Sequence, residues 1–255
     1  MRKPTVLIRL SQKVRWRLGC RVAAPELEFG TDSSISQFYA ARVTECDFLA
    51  DPGHYEYPRA RWILEAIRGG KVLEVGCGNG GMTRLLAGLA DRIVALDVSA
   101  PSLEQVRSMA LPNVEVVQSL IEGYRPTVRF DWIVMSEVLE HLRRPSEVVK
   151  NLADHLAPGG SLLITTPNGH WESNEHLHEF SMESFAGIMA HTGAEQITVR
   201  YLRDGNNRRR WLTALIQAPP VPPSDDDFDS RSVIAKLRRF RLSDHEEYDF
   251  VGRRL

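Results

Sequence analysis

The sequence predicts an α/β protein whose doubly wound, mostly parallel seven-stranded sheet ends in an antiparallel hairpin. Three observations support this fold class. Short apolar runs alternate with helical stretches between Lys71 and Gln217, a glycine-rich loop follows the first run, and a short segment with the turn-like stretch "RDGNN" separates the last two runs. Connections of ten or more residues indicate parallel strands with crossover helices. The two runs joined by a short turn should instead pair antiparallel.

The elements follow in chain order. The helix "YPRARWILEAIRGG" carries apolar residues on one face and ends at glycine. The seven strand candidates are "KVLEV", "RIVAL", "VEVV", "FDWIVM", "GSLLITT", "ITVRYL" and "RWLTALIQ". Between the fourth and sixth strands, "PSEVVKNLADHLAPGG" and "SMESFAGIMAHTG" have helical spacing, with Ser181 the predicted N-cap of the second helix.

Composition limits the classes of function. The chain has 255 residues, of which 43% are hydrophobic, and a formal net charge of −1. We therefore expect one large domain with extensions and no strong nucleic-acid signal, because non-specific nucleic-acid binding needs a basic field. The three cysteines, Cys20, Cys46 and Cys77, are odd in number and widely spaced, which favours a reducing, cytoplasmic location without disulfides or a zinc finger.

Three regions are predicted. They are an N-terminal helical extension over residues 1–52, the sheet domain over 53–218, and a linker and tail over 219–255 that begins proline-rich and acidic. Residues 1–21 carry seven Lys or Arg, no acid and one apolar helical stripe. This stripe favours packing on the domain or on a second subunit, in a homodimer. The alternative is a helix on a membrane surface, which would make the protein peripheral to the membrane.

The glycine loop "VLEVGCGNGG" predicts an adenosine-containing cofactor. Gly76, Gly78 and Gly81 form G-x-G-x-x-G between a strand and a helix, and Asp97 ends the next strand, where a carboxylate can bind ribose hydroxyls. A nicotinamide dinucleotide and S-adenosylmethionine both fit these features. The chain lacks the Y-x-x-x-K of a short-chain dehydrogenase, and Glu74 and Gly80 also depart from a dinucleotide fingerprint.

Several motifs together resemble the class I S-adenosylmethionine-dependent methyltransferases. The stretch "EVGCGNG" from Glu74 matches their first motif, Asp97 their ribose acid, 131–135 their fourth strand and "APGG" at 157–160 the turn before the fifth. The resemblance covers roughly residues 53–218. "EVLEHL", "TTPN" and "HLHEFS" look like the branch of small-molecule and sugar O-methyltransferases, which includes ubiquinone-pathway enzymes. The resemblance implies a Rossmann-like methyltransferase fold with S-adenosylmethionine as the cofactor.

The resemblance also implies which residues hold the cofactor. The loop glycines would cradle its methionine end, Glu74 would support the loop, and Asp97 would hold the ribose. Ser119 and Leu120 would border the adenine, although many relatives carry an acid at the Ser119 position. The complete predicted set is Glu74, Gly76, Cys77, Gly78, Gly80, Asp97, Val98, Ser119, Leu120 and Ser136.

The stretch "SEVLEHL" supplies the predicted catalytic residues. It begins where the fourth strand reaches the ligand-binding edge of the sheet. If it starts a helix, Glu137, Glu140 and His141 share one face towards the cofactor. A hydroxyl acceptor must lose its proton, and His141 is the natural general base, oriented by a carboxylate. We therefore expect an O-methyltransferase that acts on a small molecule, a sugar or a lipid-linked glycan.

Two alternatives remain open. E-x-x-E-H followed by H-x-F is similar to the metal-dependent small-RNA 2′-O-methyltransferases, which implies Mg or Mn ligand roles for Glu137, Glu140, His141 and His178. The net charge argues against an RNA duplex, and His176 is expected to be a solvated loop residue. The other alternative is a catalytically silent scaffold that binds the cofactor and uses residues 1–21 on a membrane or partner.

Overall fold

The computed structural model describes Tyr39, residues 46–171 and 175–219, and the backbone of 247–251. Its sheet has the order β3-β2-β1-β4-β5-β7-β6-β8. The strands are β1 (Lys71–Val75), β2 (Arg92–Asp97), β3 (Val114–Gln118), β4 (Phe130–Ser136), β5 (Leu156–Pro167), β6 (Gln196–Arg203), β7 (Arg209–Gln217) and β8 (Glu247–Val251). All seven predicted strands are confirmed. The eighth was not predicted, and it lies in the region expected to be a linker and tail.

Strand pairing follows the predicted pattern. Strands β1 to β5 pair in parallel, whereas β7 pairs antiparallel with both β5 and β6. Strand β8 pairs antiparallel with β6. The chain runs outwards from β1 to β3 and then returns to place β4 on the other side of β1. The loops after β1 and β4 therefore diverge at a point where the strand order reverses, which is the usual ligand site of an open α/β sheet.

Helices cover both faces of the sheet, as a doubly wound fold requires. On one face, α1 (Tyr57–Ala66), α2 (Gly81–Leu86) and α3 (Ala100–Ser108) enclose an apolar core that includes Ile63 and Leu103. On the other, α4 (Pro145–Asp154) and α5 (Met182–Ala190) bury Leu152 and Phe185. The Ser181 side chain accepts a hydrogen bond from a backbone N–H of α5, so the predicted N-cap is confirmed.

Several predictions concern residues outside those that the structure describes. The basic stripe in residues 1–21, its membrane contact and the homodimer belong to this group, as does the side-chain character of residues 220–255. Among the described residues, no helix is both long and apolar enough to cross a membrane. The boundaries of the three predicted regions remain predictions.

Candidate active site

The glycine loop follows β1 and requires glycine for two reasons. Gly76, Gly78 and Gly80 have φ angles of 71°, 53° and 89°, in the left-handed region that side chains disfavour. A Cβ atom on Gly76 would also lie 2.4 Å from Cγ2 of Val138. The loop backbone therefore lies against the segment that follows β4, and its shape leaves no room for a side chain at Gly76.

Asp97 joins the loops that follow β1 and β2. Its carboxylate accepts hydrogen bonds from the backbone N–H of Gly78 at 2.9 Å and of Ser99 at 2.8 Å. Burial raises the pKa of Asp97, and these backbone hydrogen bonds oppose that shift. The predicted ribose acid thus lies directly beside the glycine loop, at the carboxyl edge of the sheet.

Two predicted residues of the first motif lie inside the protein. The Glu74 carboxylate accepts a hydrogen bond from Oγ1 of Thr83 at 2.7 Å, which links β1 to α2 beneath the loop. Burial raises the pKa of Glu74 to about 8. Cys77 is buried between the glycines, and its backbone N–H donates to the Leu96 carbonyl at 3.1 Å. Both residues therefore support the loop from within.

The predicted adenine-side residues lie next to Asp97. The backbone N–H of Ser119 donates to the Asp97 carbonyl at 2.9 Å, and the Ser119 hydroxyl donates to the Leu120 carbonyl at 3.0 Å. The Gln118 side chain reaches the Val98 carbonyl at 3.2 Å. The loops after β1, β2 and β3 are thereby brought together at one edge of the sheet.

The prediction of a helix at "SEVLEHL" is wrong. Glu137 has a left-handed φ of 56°, and only Leu139–His141 form a single 3₁₀ turn. The backbone N–H of Glu137 donates to the Thr165 carbonyl at 3.0 Å, so the hydrogen bonding between β4 and β5 continues one residue beyond β4. This bond prevents Glu137 from starting a helix, and the two carboxylates do not share a helical face.

Each carboxylate instead has its own hydrogen-bond donors. Glu137 accepts from Oγ1 of Thr165 at 2.9 Å and from Nε1 of Trp211 at 3.1 Å. Glu140 accepts from Oγ1 of Thr166 at 2.8 Å. Burial raises the pKa of both carboxyl groups, and these hydrogen bonds are a reason why buried acids are tolerated here.

Arg59 of α1 is a positive charge that acts on both carboxylates, and it was not predicted from the sequence. Arg59 is 5% exposed, and its guanidinium donates to Oγ of Ser136 at 2.6 Å and pairs with Glu56. Its charge lowers the pKa of Glu137 against the effect of burial. The available signal was an arginine four residues before Ile63, on the apolar face of α1.

His141 is held in a defined tautomer. Its Nδ1 lies 3.0 Å from the carbonyl oxygen of Glu175 and 3.0 Å from the hydroxyl of Tyr39. A carbonyl oxygen can only accept, so Nδ1 carries the proton and Nε2 carries the lone pair. Burial lowers the pKa of His141, which favours the neutral imidazole. The Nε2 atom lies 3.8 Å from Oε1 of Glu140.

The residues that could hold a metal differ from the predicted set. Within 46–171 and 175–219, Glu140, His141 and His176 offer ligand atoms that all lie within 4.8 Å of one another. His176 is half-buried, which contradicts the expected solvated position, and burial with neighbouring imidazoles lowers its pKa to about 3. A neutral imidazole of this kind can bind a metal ion.

His178 and Glu137 lie outside that cluster. His178 is buried, and its Nε2 lies 2.8 Å from the Leu142 carbonyl oxygen. The backbone N–H groups of Leu177 and His178 both donate to the Glu140 carbonyl, at 2.8 and 3.1 Å. The chain bends around this carbonyl, and the bend separates the His178 side chain from that of His176.

This fold is that of the S-adenosylmethionine-dependent methyltransferases. The profile of the family described as "Methyltransferase domain" matches residues 53–203, and the chain belongs to this family. The cofactor is S-adenosylmethionine. The glycine cradle at residues 76–80 and the adjacent Asp97 carboxylate fit it, because the backbone there can approach a ligand closely and a carboxylate can accept from ribose hydroxyls.

Particular relatives refine this class. The chain is 32% identical over 162 residues to the ubiquinone biosynthesis O-methyltransferase of Erwinia tasmaniensis, covering 60% of this chain and 61% of that protein. The enzyme of that name from Serratia proteamaculans is 31% identical over 162 residues, covering 60% and 62%. The chain therefore spans about three fifths of the length of these curated relatives.

Two solved structures have the same fold. One is the N-methyltransferase NodS from Bradyrhizobium japonicum WM9 with S-adenosylhomocysteine, with a TM-score of 0.58, 21% identity and coverage of 72% of this chain and 97% of that one. The other is the DhpI complex with S-adenosylhomocysteine, with a TM-score of 0.57, 25% identity and coverage of 73% and 96%.

Proposed function

We propose that this methyltransferase methylates a hydroxyl group of a small molecule, with His141 as the general base. The observation that carries this proposal is the contact between Nδ1 of His141 and the Glu175 carbonyl oxygen, because it directs the Nε2 lone pair away from the backbone. The name of the two relatives supports an oxygen acceptor and favours the small-molecule class over a sugar or a lipid-linked glycan.

The proposed roles follow from the contacts of each side chain. S-adenosylmethionine supplies an electrophilic methyl group on a sulfonium. His141 would accept the acceptor's hydroxyl proton at Nε2, and the nearby Glu140 carboxylate would stabilise the imidazolium that forms. Glu137, with both oxygens engaged by donors, would fix the start of this segment.

The experiment combines labelled cofactor with a histidine exchange. Incubation of the protein with methyl-labelled S-adenosylmethionine and fractionated extract would identify the acceptor, which should carry an O-methyl group. His141→Asn should lower kcat about 100-fold or more while changing the affinity for S-adenosylhomocysteine little, because only the base is lost. Methyl transfer at the wild-type rate by this variant would refute the role of His141.

His155 provides a matched control. Its Nδ1 also contacts a backbone carbonyl, that of Asn151 at 2.7 Å, but it lies between α4 and β5, at the opposite edge of the sheet from the glycine loop. His155→Asn should leave kcat unchanged. A comparable loss of activity in both variants would point to a general effect on folding.

A metal-assisted version is the second candidate, supported by the cluster of Glu140, His141 and His176. One carboxylate and two neutral imidazoles form a donor set suited to a divalent ion such as Zn²⁺ or Mn²⁺, which would polarise the acceptor hydroxyl. His141 cannot be both ligand and base, so the two versions exclude each other. The net charge of −1 gives no support to an RNA acceptor in either version.

Metal binding can be tested without an acceptor. Titration of the metal-free protein with Mn²⁺ or Zn²⁺ in a calorimeter should give one site in the wild type and in His178→Ala, and none in His176→Ala. Full methyltransferase activity in excess EDTA, with no heat of metal binding, would exclude this version. Metal binding lost in His178→Ala but kept in His176→Ala would instead support the ligand set predicted from the sequence.

A further inference from the structure

The segment Cys46–Ala50 lies upstream of the residues that match the family, and it contacts the glycine loop. The backbone N–H of Cys46 donates to Oδ1 of Asn79 at 3.1 Å, and the Cys46 thiol donates to the same oxygen at 3.0 Å. The side-chain amide of Asn79 donates to Asp47 at 3.3 Å. Asn79 is 4% exposed. A buried side chain of the cofactor loop thus finds its partners outside the family domain.

The same segment also fits closely against the helix that follows the loop. A Cβ atom on Gly81, the first residue of α2, would lie 2.2 Å from the Cys46 carbonyl oxygen. Leu49 is buried in the apolar core on this face of the sheet, together with Ile63 of α1. Cys46–Ala50 is therefore fixed to the core independently of the glycine loop, and it can restrain that loop.

The loop needs such a restraint because of its composition. Asn79 stands between Gly78 and Gly80, both with left-handed φ angles, and glycine has the largest conformational freedom of any residue. On one side, the backbone N–H of Gly78 is held by Asp97. On the other, the Asn79 side chain is held by Cys46. A loop ordered in advance loses less entropy when it binds its ligand.

We propose that Cys46–Ala50 positions the glycine loop for S-adenosylmethionine, and that it acts through the side chain of Asn79. Asn79 is thus a positioning residue, and the functional cofactor-binding unit includes Cys46–Ala50, upstream of residue 53. This inference rests on the cofactor class and not on the proposed hydroxyl acceptor.

The test measures the affinity of the full-length protein for S-adenosylhomocysteine by calorimetry, together with thermal unfolding without ligand. Asn79→Ala should weaken binding by about tenfold or more, because it removes three hydrogen bonds. Cys46→Ala should weaken binding about threefold, and Cys46→Ser should restore it to within about twofold, because a hydroxyl donates to the same oxygen. A purely structural role would lower the unfolding temperature without this rescue of affinity.

Asn113 offers a matched control. Its side-chain amide also ties a loop, by donating to the carbonyls of Ala87 and Ala90 at 3.0 and 2.9 Å, but it precedes β3 at the other edge of the sheet. Asn113→Ala should lower the unfolding temperature and leave the affinity unchanged. Wild-type affinity in folded Asn79→Ala would overturn the proposal. If that variant does not fold, equal affinities of Cys46→Ala and Cys46→Ser would overturn it.

The acceptor does not enter these measurements. If no hydroxyl is methylated but Asn79→Ala still binds S-adenosylhomocysteine weakly, the proposed function fails and the positioning role stands. If a hydroxyl is methylated but Asn79→Ala binds S-adenosylhomocysteine as the wild type does, only the positioning role fails.

Discussion

Substitution of Gly76 by alanine should destabilise the protein through two separable effects. At a φ of 71°, a residue with a Cβ loses about 1–2 kcal/mol relative to glycine. In addition, the new Cβ would lie 2.4 Å from Cγ2 of Val138, and overpacking of this kind costs about 1–3 kcal/mol. The expected total is therefore about 2–5 kcal/mol of unfolding free energy, of which only the second part depends on Val138.

A double-mutant cycle isolates that second part. Urea unfolding followed by circular dichroism would compare the wild type, Gly76→Ala, Val138→Ala and the double variant. Val138→Ala alone removes two half-buried methyl groups and should cost about 1 kcal/mol. The double variant has room for the new Cβ, so it should be more stable than the sum of the single changes by about 1–3 kcal/mol. Additivity within about 0.5 kcal/mol would show that the loop and Val138 are not in contact.

Three further outcomes concern buried charge. Arg59→Met should lower the free energy of unfolding by about 3–5 kcal/mol, because Glu137 and Glu140 lose their neighbouring cation. The loss should be larger at pH 8 than at pH 5, since the two carboxyl groups ionise over that range. An equal loss at both pH values in urea unfolding would count against this pairing. The pKa of Glu74 in the folded protein, about 8, exceeds its ordinary value of 4.5, so the folded state retains a proton that the unfolded state releases. The stability that this group contributes is present below pH 4.5 and is lost as the pH rises towards 8, by at most about 1.4 kcal/mol per pH unit. Glu74→Gln should therefore reduce the dependence of the unfolding free energy on pH in this range. Trp211→Phe removes the indole donor to Glu137 and should lower the free energy of unfolding by about 1–3 kcal/mol at pH 8. An unchanged urea midpoint would show that this hydrogen bond does not stabilise the protein.

Local sequence patterns were sufficient for the strands and for the cofactor loop. Apolar runs of strand length and glycine stops depend on neighbouring residues, so all seven predicted strands appear in the sheet. The loop from Gly76 to Gly80 was also readable, because only glycine adopts its backbone angles without cost. Asp97, one strand further on, lies beside that loop, as parallel strands require.

The acid and imidazole site was predicted less well, because contacts distant in the sequence shape it. The spacing of Glu137 and Glu140 indicated a helix. The backbone N–H of Glu137 instead donates to the Thr165 carbonyl, 28 residues away, and the chain turns at Glu137 without starting a helix. His176 and His178 have the alternation of one face of a strand, yet the bend around the Glu140 carbonyl separates them. No local sequence pattern predicts such a bend.

By itself, the sequence determined the strands, the crossover helices, the glycine cradle and the acid at the end of β2, because backbone preference and apolar periodicity act over a few residues. Only the tertiary structure decided which donors reach Glu137, which tautomer His141 adopts and which histidine joins it. Arg59 contacts the last residue of β4 and Trp211 the residue after it, across 77 and 74 residues of chain. Such pairings arise when the sheet closes and the remaining buried polar groups must find partners, which is a property of the whole fold.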